Sequence, residues 1–281
     1  MRQYLGFKKR CLLVYTSLLA STVLVTSPSK AATFASSGGN VLFTNFSQSP
    51  VGILTNTDVD TVTVGQDSSV VAKAEATASF IKENPTLADN FSFSEATGNG
   101  QNYFGLATSE AIIAGSFVIE ENSFFSFDFI ASLSLSASAD NSETENASAS
   151  GNIFFTLIDI SNNSILAYFD LTGNLSVKGD NDFLKSQKTD NVTLNFSVID
   201  FTESPKSGFA FFEGSVQRYF SNKTTVNLIE VKKNQARVSV PEYSSGVTLL
   251  ISCGLISILV RRQRQKITSI YLSTNKATLN I

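Results

Sequence analysis

Apolar and polar residues alternate with a period of two along most of the chain. From Phe127 onward, Phe129, Ala131, Leu133 and Leu135 fall on one face, whereas serines fall on the other. The stretches 70–80 and 192–198 alternate in the same way. In 192–198 the residues assigned to the apolar face are Val192, Leu194, Phe196 and Val198. One buried face and one wetted face are typical of strands in antiparallel sheets.

Further stretches of the same kind predict about ten strands in all, separated by segments rich in Gly, Asn and Ser. We therefore expect an all-β domain over 32–240, an antiparallel two-sheet β-sandwich or jelly roll. The polar segment 140–150 is expected to be a hairpin loop, and SSGGN, TGNGQN, SNNS, GDND and FTESPKSG are expected to be turns. The additional strand candidates are 41–46, 103–107, 112–119, 153–159, 165–171, 209–219, 225–231 and 235–240.

Phenylalanines occur as adjacent pairs at 124–125, 154–155 and 211–212. Neighbouring side chains of a strand point to opposite faces, so each pair should point one ring to each face, with one of the two rings exposed or covering the second sheet.

The first 31 residues have the three parts of a secretory signal. The start is positively charged, an apolar stretch runs over 11–25, and small residues precede Ala31. We expect a signal helix that is cleaved after Ala31, and an uncleaved anchor is the alternative.

A second apolar run, 246–260, lies near the C-terminus and is followed at once by Arg261, Arg262 and Arg264. Counted from Tyr243, the segment is just long enough for a membrane-spanning helix. Positive residues remain on the cytoplasmic side, so both ends predict that the domain before Pro241 lies outside.

This C-terminal segment resembles the PEP-CTERM sorting signal of bacterial exported proteins. The matching parts are Val240, Pro241 and Glu242, the run 246–260, and the arginines that follow it. The Asn/Ser/Phe-rich body is similar to cyanobacterial members. The resemblance implies recognition by an exosortase, a membrane transpeptidase-like enzyme, and delivery of the product to the cell surface or an exopolysaccharide matrix.

The segment 241–266 departs from the family pattern at Tyr243, where the family has a second proline. The chain also continues through a tail, 267–281, beyond the usual end of the signal. A plain single-span anchor is therefore the alternative to a cleaved sorting signal.

Removing the two ends changes the charge of the chain. The whole sequence has a net charge of −3, but ten of its 21 basic residues and only one of its 24 acidic residues lie in those ends. The domain is left with 11 basic and 23 acidic residues, a net charge of −12. An acidic surface repels phosphate backbones, so nucleic acid is not an expected partner.

The composition also limits the available chemistry. The sequence contains no histidine, and its two cysteines, Cys11 and Cys253, lie in the end segments. A Ser-His-Asp triad, a histidine-ligated metal and a domain thiolate are therefore excluded. A carboxylate pair of the glycosidase kind stays open, with Asp128, Asp159 and Asp170 as candidates.

Calcium is the ion that the remaining residue types favour, because it binds oxygen ligands. Asp180, Asn181 and Asp182 group such ligands on one turn, and Asp58 and Asp60 form a second group. An ordinary Asx turn is the favoured explanation of such groups, so we expect no cofactor, with calcium as the alternative.

These observations together predict an exported, non-enzymatic surface or extracellular-matrix protein, with exopolysaccharide as a possible partner. The alternatives are a calcium-dependent glycan-binding module and a glycan-processing enzyme that uses two carboxylates.

Overall fold

The computed structural model describes residues 33–66, 68–83, 85–179, 181–203 and 205–240. Twelve strands account for most of these residues, and no helix occurs among them. The expected signal helix and C-terminal helix lie outside the described residues. The strands are β1 Thr33–Thr44, β2 Gly52–Gly65, β3 Ser69–Ile81, β4 Leu87–Asn99, β5 Tyr103–Ile119, β6 Ser123–Ala139, β7 Asn146–Asp159, β8 Ser164–Ser176, β9 Phe183–Lys188, β10 Val192–Glu203, β11 Lys206–Phe220 and β12 Thr224–Val240.

The strands form two six-stranded antiparallel sheets that pack face to face. Sheet A has the order β10-β11-β6-β1-β4-β3, and sheet B has the order β2-β5-β12-β7-β8-β9. The edge strand β3 packs against β2 at one side of the molecule, whereas β10 and β11 pack near β8 and β9 at the other. The prediction of an all-β fold with two antiparallel sheets is confirmed.

The core between the sheets is rich in phenylalanine. Phe43, Phe127, Phe129, Phe155 and Phe169 are at most 1% exposed. Their rings form a chain of contacts with centroids 4.8–6.0 Å apart. Edge-on and offset ring contacts of this kind stabilise a core beyond the area that they bury.

The adjacent phenylalanine pairs divide between the two faces as expected. Phe125, Phe155 and Phe212 are buried in the core, whereas Phe124 is 54% exposed. Phe154 and Phe211, which belong to the outer faces, are half-buried. This prediction is confirmed.

The connection over 140–150 is not a hairpin loop. β6 belongs to sheet A and ends at Ala139, whereas β7 belongs to sheet B and begins at Asn146. The loop is therefore shorter than expected, and it carries the chain from one sheet to the other. Alternation on both sides of a polar segment indicates two strands, but it does not indicate that they pair.

Several strand predictions had wrong boundaries. The candidates 103–107 and 112–119 are one strand, β5, and 225–231 and 235–240 are one strand, β12. SSGGN lies inside β1, where Gly39 faces the core and a Cβ would come within 3.1 Å of the Ser132 carbonyl oxygen. The strands β2, β4 and β9 were not predicted, because apolar residues do not alternate along them.

Candidate functional site

The outer face of sheet A carries a shallow trough lined by phenylalanines. Antiparallel pairing places Phe91, Asn40, Ser132 and Phe211 in one row across β4, β1, β6 and β11. The next row contains Phe93, Gly38, Ser134 and Phe209. We call these two rows the aromatic trough, with Gly38, Asn40, Ser132 and Ser134 as its floor and the four phenylalanines as its walls.

The alternation of β6 produces the floor of the trough. Leu133 and Leu135 point into the core, so the intervening serines must point outward. Gly38 of β1 leaves room for the Phe93 ring, which lies against it, since a Cβ there would be 3.0 Å from that ring. Neighbouring strands are about 4.8 Å apart, so the backbones of β4 and β11, which carry the four phenylalanines, are about 14 Å apart.

Asn40 and Ser132 are unusual for outward-facing residues. They are only 8% and 3% exposed, so neighbouring side chains cover them. The side-chain oxygens Asn40 Oδ1 and Ser132 Oγ have no hydrogen-bond partner among the described residues. A buried polar atom without a partner costs free energy, about 1–3 kcal/mol, and typically signals a ligand, a water molecule or a strained site. A ligand reaches these two oxygens only when the side chains that cover them move aside.

A β-bulge in β10 extends the aromatic surface. The register shifts between Leu194 and Phe196, so that Val192 and Leu194 face the core while Phe196 and Val198 turn outward. The Phe196 and Phe211 ring centroids are 5.9 Å apart, and Phe196 is 53% exposed. The prediction that all four residues share one face was wrong, because the extra residue of a bulge reverses the alternation after it.

A second unusual cluster is a layer of polar side chains between the sheets. Along β12, Glu230, Lys232 and Asn234 occupy inward positions that would ordinarily hold apolar residues. The inward residues Asn90, Ser92 and Ser94 of β4 meet them.

Asn90 links the two charged residues of this layer. Its side-chain amide donates to Glu230 Oε2, and its backbone carbonyl oxygen accepts from Lys232 Nζ. Burial raises the pKa of Glu230 to about 8, and the Lys232 charge and the Asn90 hydrogen bond only partly oppose it. Burial lowers the pKa of Lys232 to about 7. Charged forms are costly away from water, so both groups tend towards neutrality.

Asn234 is the centre of the rest of the layer. Its Nδ2 donates to the Ser92 carbonyl oxygen at 3.0 Å and to Ser92 Oγ at 2.5 Å, and its Oδ1 accepts from Ser37 Oγ at 2.6 Å. Ser94 Oγ donates to the Asn234 carbonyl oxygen at 3.1 Å. These bonds run from β12 to β1 and β4, so the layer fixes the position of one sheet on the other.

The polar layer has no access to a substrate. Asn90, Ser92, Glu230 and Lys232 are all 0% exposed, and aliphatic and aromatic core residues surround them. Its chemistry is therefore limited to hydrogen bonding and proton uptake or release within the fold.

The candidate catalytic carboxylates lie on separate surfaces. Asp128 is on the outer face of sheet A and accepts a hydrogen bond from Asn45 at 2.6 Å. Asp170 is on the outer face of sheet B and accepts from Asn152 at 2.6 Å. Asp159 accepts from the backbone N–H and hydroxyl of Ser161 in a turn. The fold does not bring these three carboxylates together.

Of the calcium candidates, the structure describes Asn181 and Asp182, and the Asp182 carboxylate already has partners. Asp180 lies outside the described residues. Asn181 adopts a left-handed backbone conformation with φ of 66°, as Asx-turn residues do. Asp182 accepts from the Ser176 backbone N–H at 2.7 Å and from Lys206 Nζ at 2.8 Å. A calcium ion at Asp182 would compete with the Lys206 ammonium group.

The other acidic pair, Asp58 and Asp60, lies in the middle of β2 and not on a turn. Among the described residues, no group of three or more His, Cys, Asp or Glu side chains is placed to hold a metal ion.

Most of the residues predicted to direct export and sorting lie outside the described part of the chain. Ala31, Pro241, Glu242, Arg261, Arg262 and Arg264 lie outside the described residues. Val240 is the last residue of β12 and pairs with Tyr103. Within the described part of the chain, no helix has the length and apolarity needed to cross a membrane.

Neither the trough nor the polar layer was predicted from the sequence. The polar layer could have been detected in the sequence, because its β12 residues occupy alternate positions of a strand whose other inward residues are apolar. These alternate positions are Val226, Leu228, Glu230, Lys232, Asn234, Ala236 and Val238. No pattern within a single segment identifies the aromatic trough, since its rows contain residues from four strands.

The comparisons with known proteins give no relative. No family model matches the chain, and no curated protein or solved structure is significantly similar to it.

Proposed function

We propose that this chain is an exported, non-enzymatic surface or extracellular-matrix protein that binds a polysaccharide chain in the aromatic trough. The observation that carries the proposal is the arrangement of four phenylalanines on both sides of a floor of Asn, Ser and Gly residues, in which the covered oxygens of Asn40 and Ser132 have no partner among the described residues. Sugar rings present apolar faces and polar edges, so aromatic walls and a hydrogen-bonding floor suit them.

The shape of the trough supports an extended ligand rather than a small molecule. The outer face of β6 continues past Ser134 with Ser136 and Ser138, and Ser36 of β1 pairs with Ser136. A floor of short hydroxyl side chains therefore runs along two strands, and several sugar units can lie on it in sequence.

The scattered carboxylates support a non-enzymatic role. A glycosidase requires two carboxyl groups about 5–9.5 Å apart around one site, whereas Asp128, Asp159 and Asp170 lie on different surfaces. A calcium-dependent module would require the displacement of Lys206 from Asp182.

Export is part of the same proposal. Cleavage after Ala31 would leave β1, which begins at Thr33 and is central in sheet A, complete. Cleavage by an exosortase-type enzyme after Val240 would likewise leave β12 complete. In the alternative, 241–266 stays as a single-span membrane anchor with the domain outside.

Affinity electrophoresis of the purified protein against a panel of soluble polysaccharides tests the binding proposal. We expect at least one polysaccharide to retard the protein, and Phe91→Ala and Phe211→Ala to weaken that binding by about tenfold or more. Phe154→Ala is the matched control, because Phe154 is a half-buried ring on the outer face of sheet B.

The melting temperature of each variant shows whether it folds. If no polysaccharide retards the protein, or if folded trough variants bind as well as the Phe154→Ala control, the trough is not the binding site.

A further inference from the structure

We propose that copies of this chain assemble head to tail, with β9 of one copy pairing with β2 of the next to extend sheet B. The proposal rests on the direction, charge and register of these two edge strands, and it does not depend on polysaccharide binding.

The strand directions permit such a junction. Each sheet contains six strands, and all neighbours are antiparallel. The first and last strands of each sheet therefore run in opposite directions. When two copies are stacked in the same orientation, β9 meets β2 of the next copy as an antiparallel neighbour. The same displacement brings β10 to β3, whose lengths of 12 and 13 residues are well matched.

The edge strand β2 is not protected in the usual way. Its 14 residues contain no lysine, arginine or proline, and Ile53, Val59 and Val64 are 46%, 50% and 60% exposed. Natural proteins commonly block exposed edges with lysine, proline or a short strand, because free backbone groups attract other strands. β9 has such features, since it is six residues long and carries Lys185 and Lys188.

The charges of the two edges are complementary. β2 carries Asp58 and Asp60 and no basic residue, whereas β9 carries two lysines and no acidic residue. A two-fold dimer through β2 would place aspartates beside aspartates, and one through β9 would place lysines beside lysines. Like charges on paired strands are destabilising, so charge favours the head-to-tail junction over both closed dimers.

The strand register of sheet B places Asp58 of β2 and Lys185 of β9 at the two ends of one row. Successive pairings across sheet B place six residues in one row, with Asp58 at one edge and Lys185 at the other. The row is Asp58, Glu110, Lys233, Asn152, Thr172 and Lys185. If the next copy continues this row, its Asp58 lies opposite Lys185, and its Asp60 is a diagonal neighbour.

Charge reversal in the full chain, purified in mild detergent, tests the junction. One variant carries Asp58→Lys and Asp60→Lys, and a second carries Lys185→Glu. In either variant alone, residues 58 and 185 carry like charges, whereas alternating copies of the two variants have opposite charges at these residues in every junction. A control variant with Asp140→Lys and Glu143→Lys, in the exposed loop between β6 and β7, has the same net charge as the first variant.

Sedimentation velocity measures the outcome. We expect the unmodified chain and the control to form a concentration-dependent series beyond the dimer that weakens as salt rises. Each junction variant should assemble about tenfold more weakly or worse, and the equimolar mixture should regain assembly. The proposal is overturned by a monomer at every concentration, by a series that stops at the dimer, or by a mixture that does not recover.

Discussion

At the scale of the residue, the most unusual groups are Glu230 and Lys232. An apolar pair at these inward positions would satisfy the same strand pattern, and burying two charges costs several kcal/mol. Asn90 supplies a donor to one group and an acceptor to the other, so both can remain inside when they are neutral. The stability of the fold therefore depends on the protonation states of the Glu230 carboxyl group and the Lys232 amine.

The sign of this linkage follows from the two pKa shifts. Burial raises the pKa of Glu230 from 4.5 to about 8, so across this window the folded chain holds a proton that the unfolded chain has lost. The contribution of Glu230 to the free energy of unfolding is fully present below pH 4.5. It falls as the pH rises towards 8, by at most about 1.4 kcal/mol per pH unit. Lys232, with its pKa lowered from 10.5 to about 7, has the opposite effect between those values.

We predict that Glu230→Gln removes the descending part of this pH dependence. Glutamine retains an oxygen that can accept from Asn90, but it cannot titrate. Urea unfolding at about pH 5 and about pH 8 should show the unmodified chain losing stability relative to the variant as the pH rises. A difference between the two proteins that is the same at both pH values would show that Glu230 is ionised in the fold.

At the scale of the element, the sequence predicts strands best where the inward residues are apolar. β6 is recognisable because Phe129, Ala131 and Leu133 alternate with polar residues, and it is buried as expected. β4 has Asn90, Ser92 and Ser94 at inward positions, so its pattern is not one of apolar alternation. The partners that make these residues tolerable lie on β12, 140 or 142 residues later in the chain.

The bulge in β10 shows a different limit. The sequence from Val192 to Val198 has the pattern of one continuous alternation, but the pairing with β11 skips a residue after Leu194. Only the partner strand fixes where the extra residue falls, so the orientation of Phe196 is a property of the sheet and not of the segment.

We predict that Gly151→Ala destabilises the sandwich, because Gly151 of β7 faces the polar layer. A Cβ there would lie 2.4 Å from Leu133 Cδ1 and 2.7 Å from Asn234 Oδ1. Overpacking of this kind typically costs about 1–3 kcal/mol. The measurement is the urea midpoint.

Gly52→Ala in β2 provides the control, since the nearest atom to its Cβ would be Ser116 Cβ at 3.9 Å. The same exchange reduces the entropy of the unfolded chain at both positions, so the control should be neutral or stabilising by up to about 1 kcal/mol. Equal midpoints for the two variants would contradict tight packing at Gly151.

At the scale of the whole molecule, composition and alternation together predicted the all-β class and the two antiparallel sheets. They could not place the aromatic trough, because its wall residues Phe91 and Phe211 are 120 positions apart and become neighbours only through β1 and β6. Segment patterns determine which residues face outward on each strand. Strand order determines which of those residues form a common surface.

We predict that the chain is cleaved at both ends during export. The net charge of −12 on the domain contrasts with basic clusters at both ends, and this asymmetry predicts that the domain crosses the membrane while the ends are held or removed. The full chain, expressed in a bacterium that has an exosortase, should be recovered outside the cytoplasm with Ala32 as its first residue. Its mass should show the loss of the segment after Val240, Pro241 or Glu242.

Two variants separate the steps. Lengthening the apolar stretch of 11–25 should block cleavage after Ala31 without changing the C-terminus, whereas Pro241→Ala with Glu242→Ala should leave the C-terminal segment attached. Protease added to intact spheroplasts should digest the domain in both variants, because the proposed topology places the β-sandwich outside in each. A domain that stays protected from external protease would overturn the topology, and an exported chain that ends at Ile281 would show that 241–266 is a plain membrane anchor.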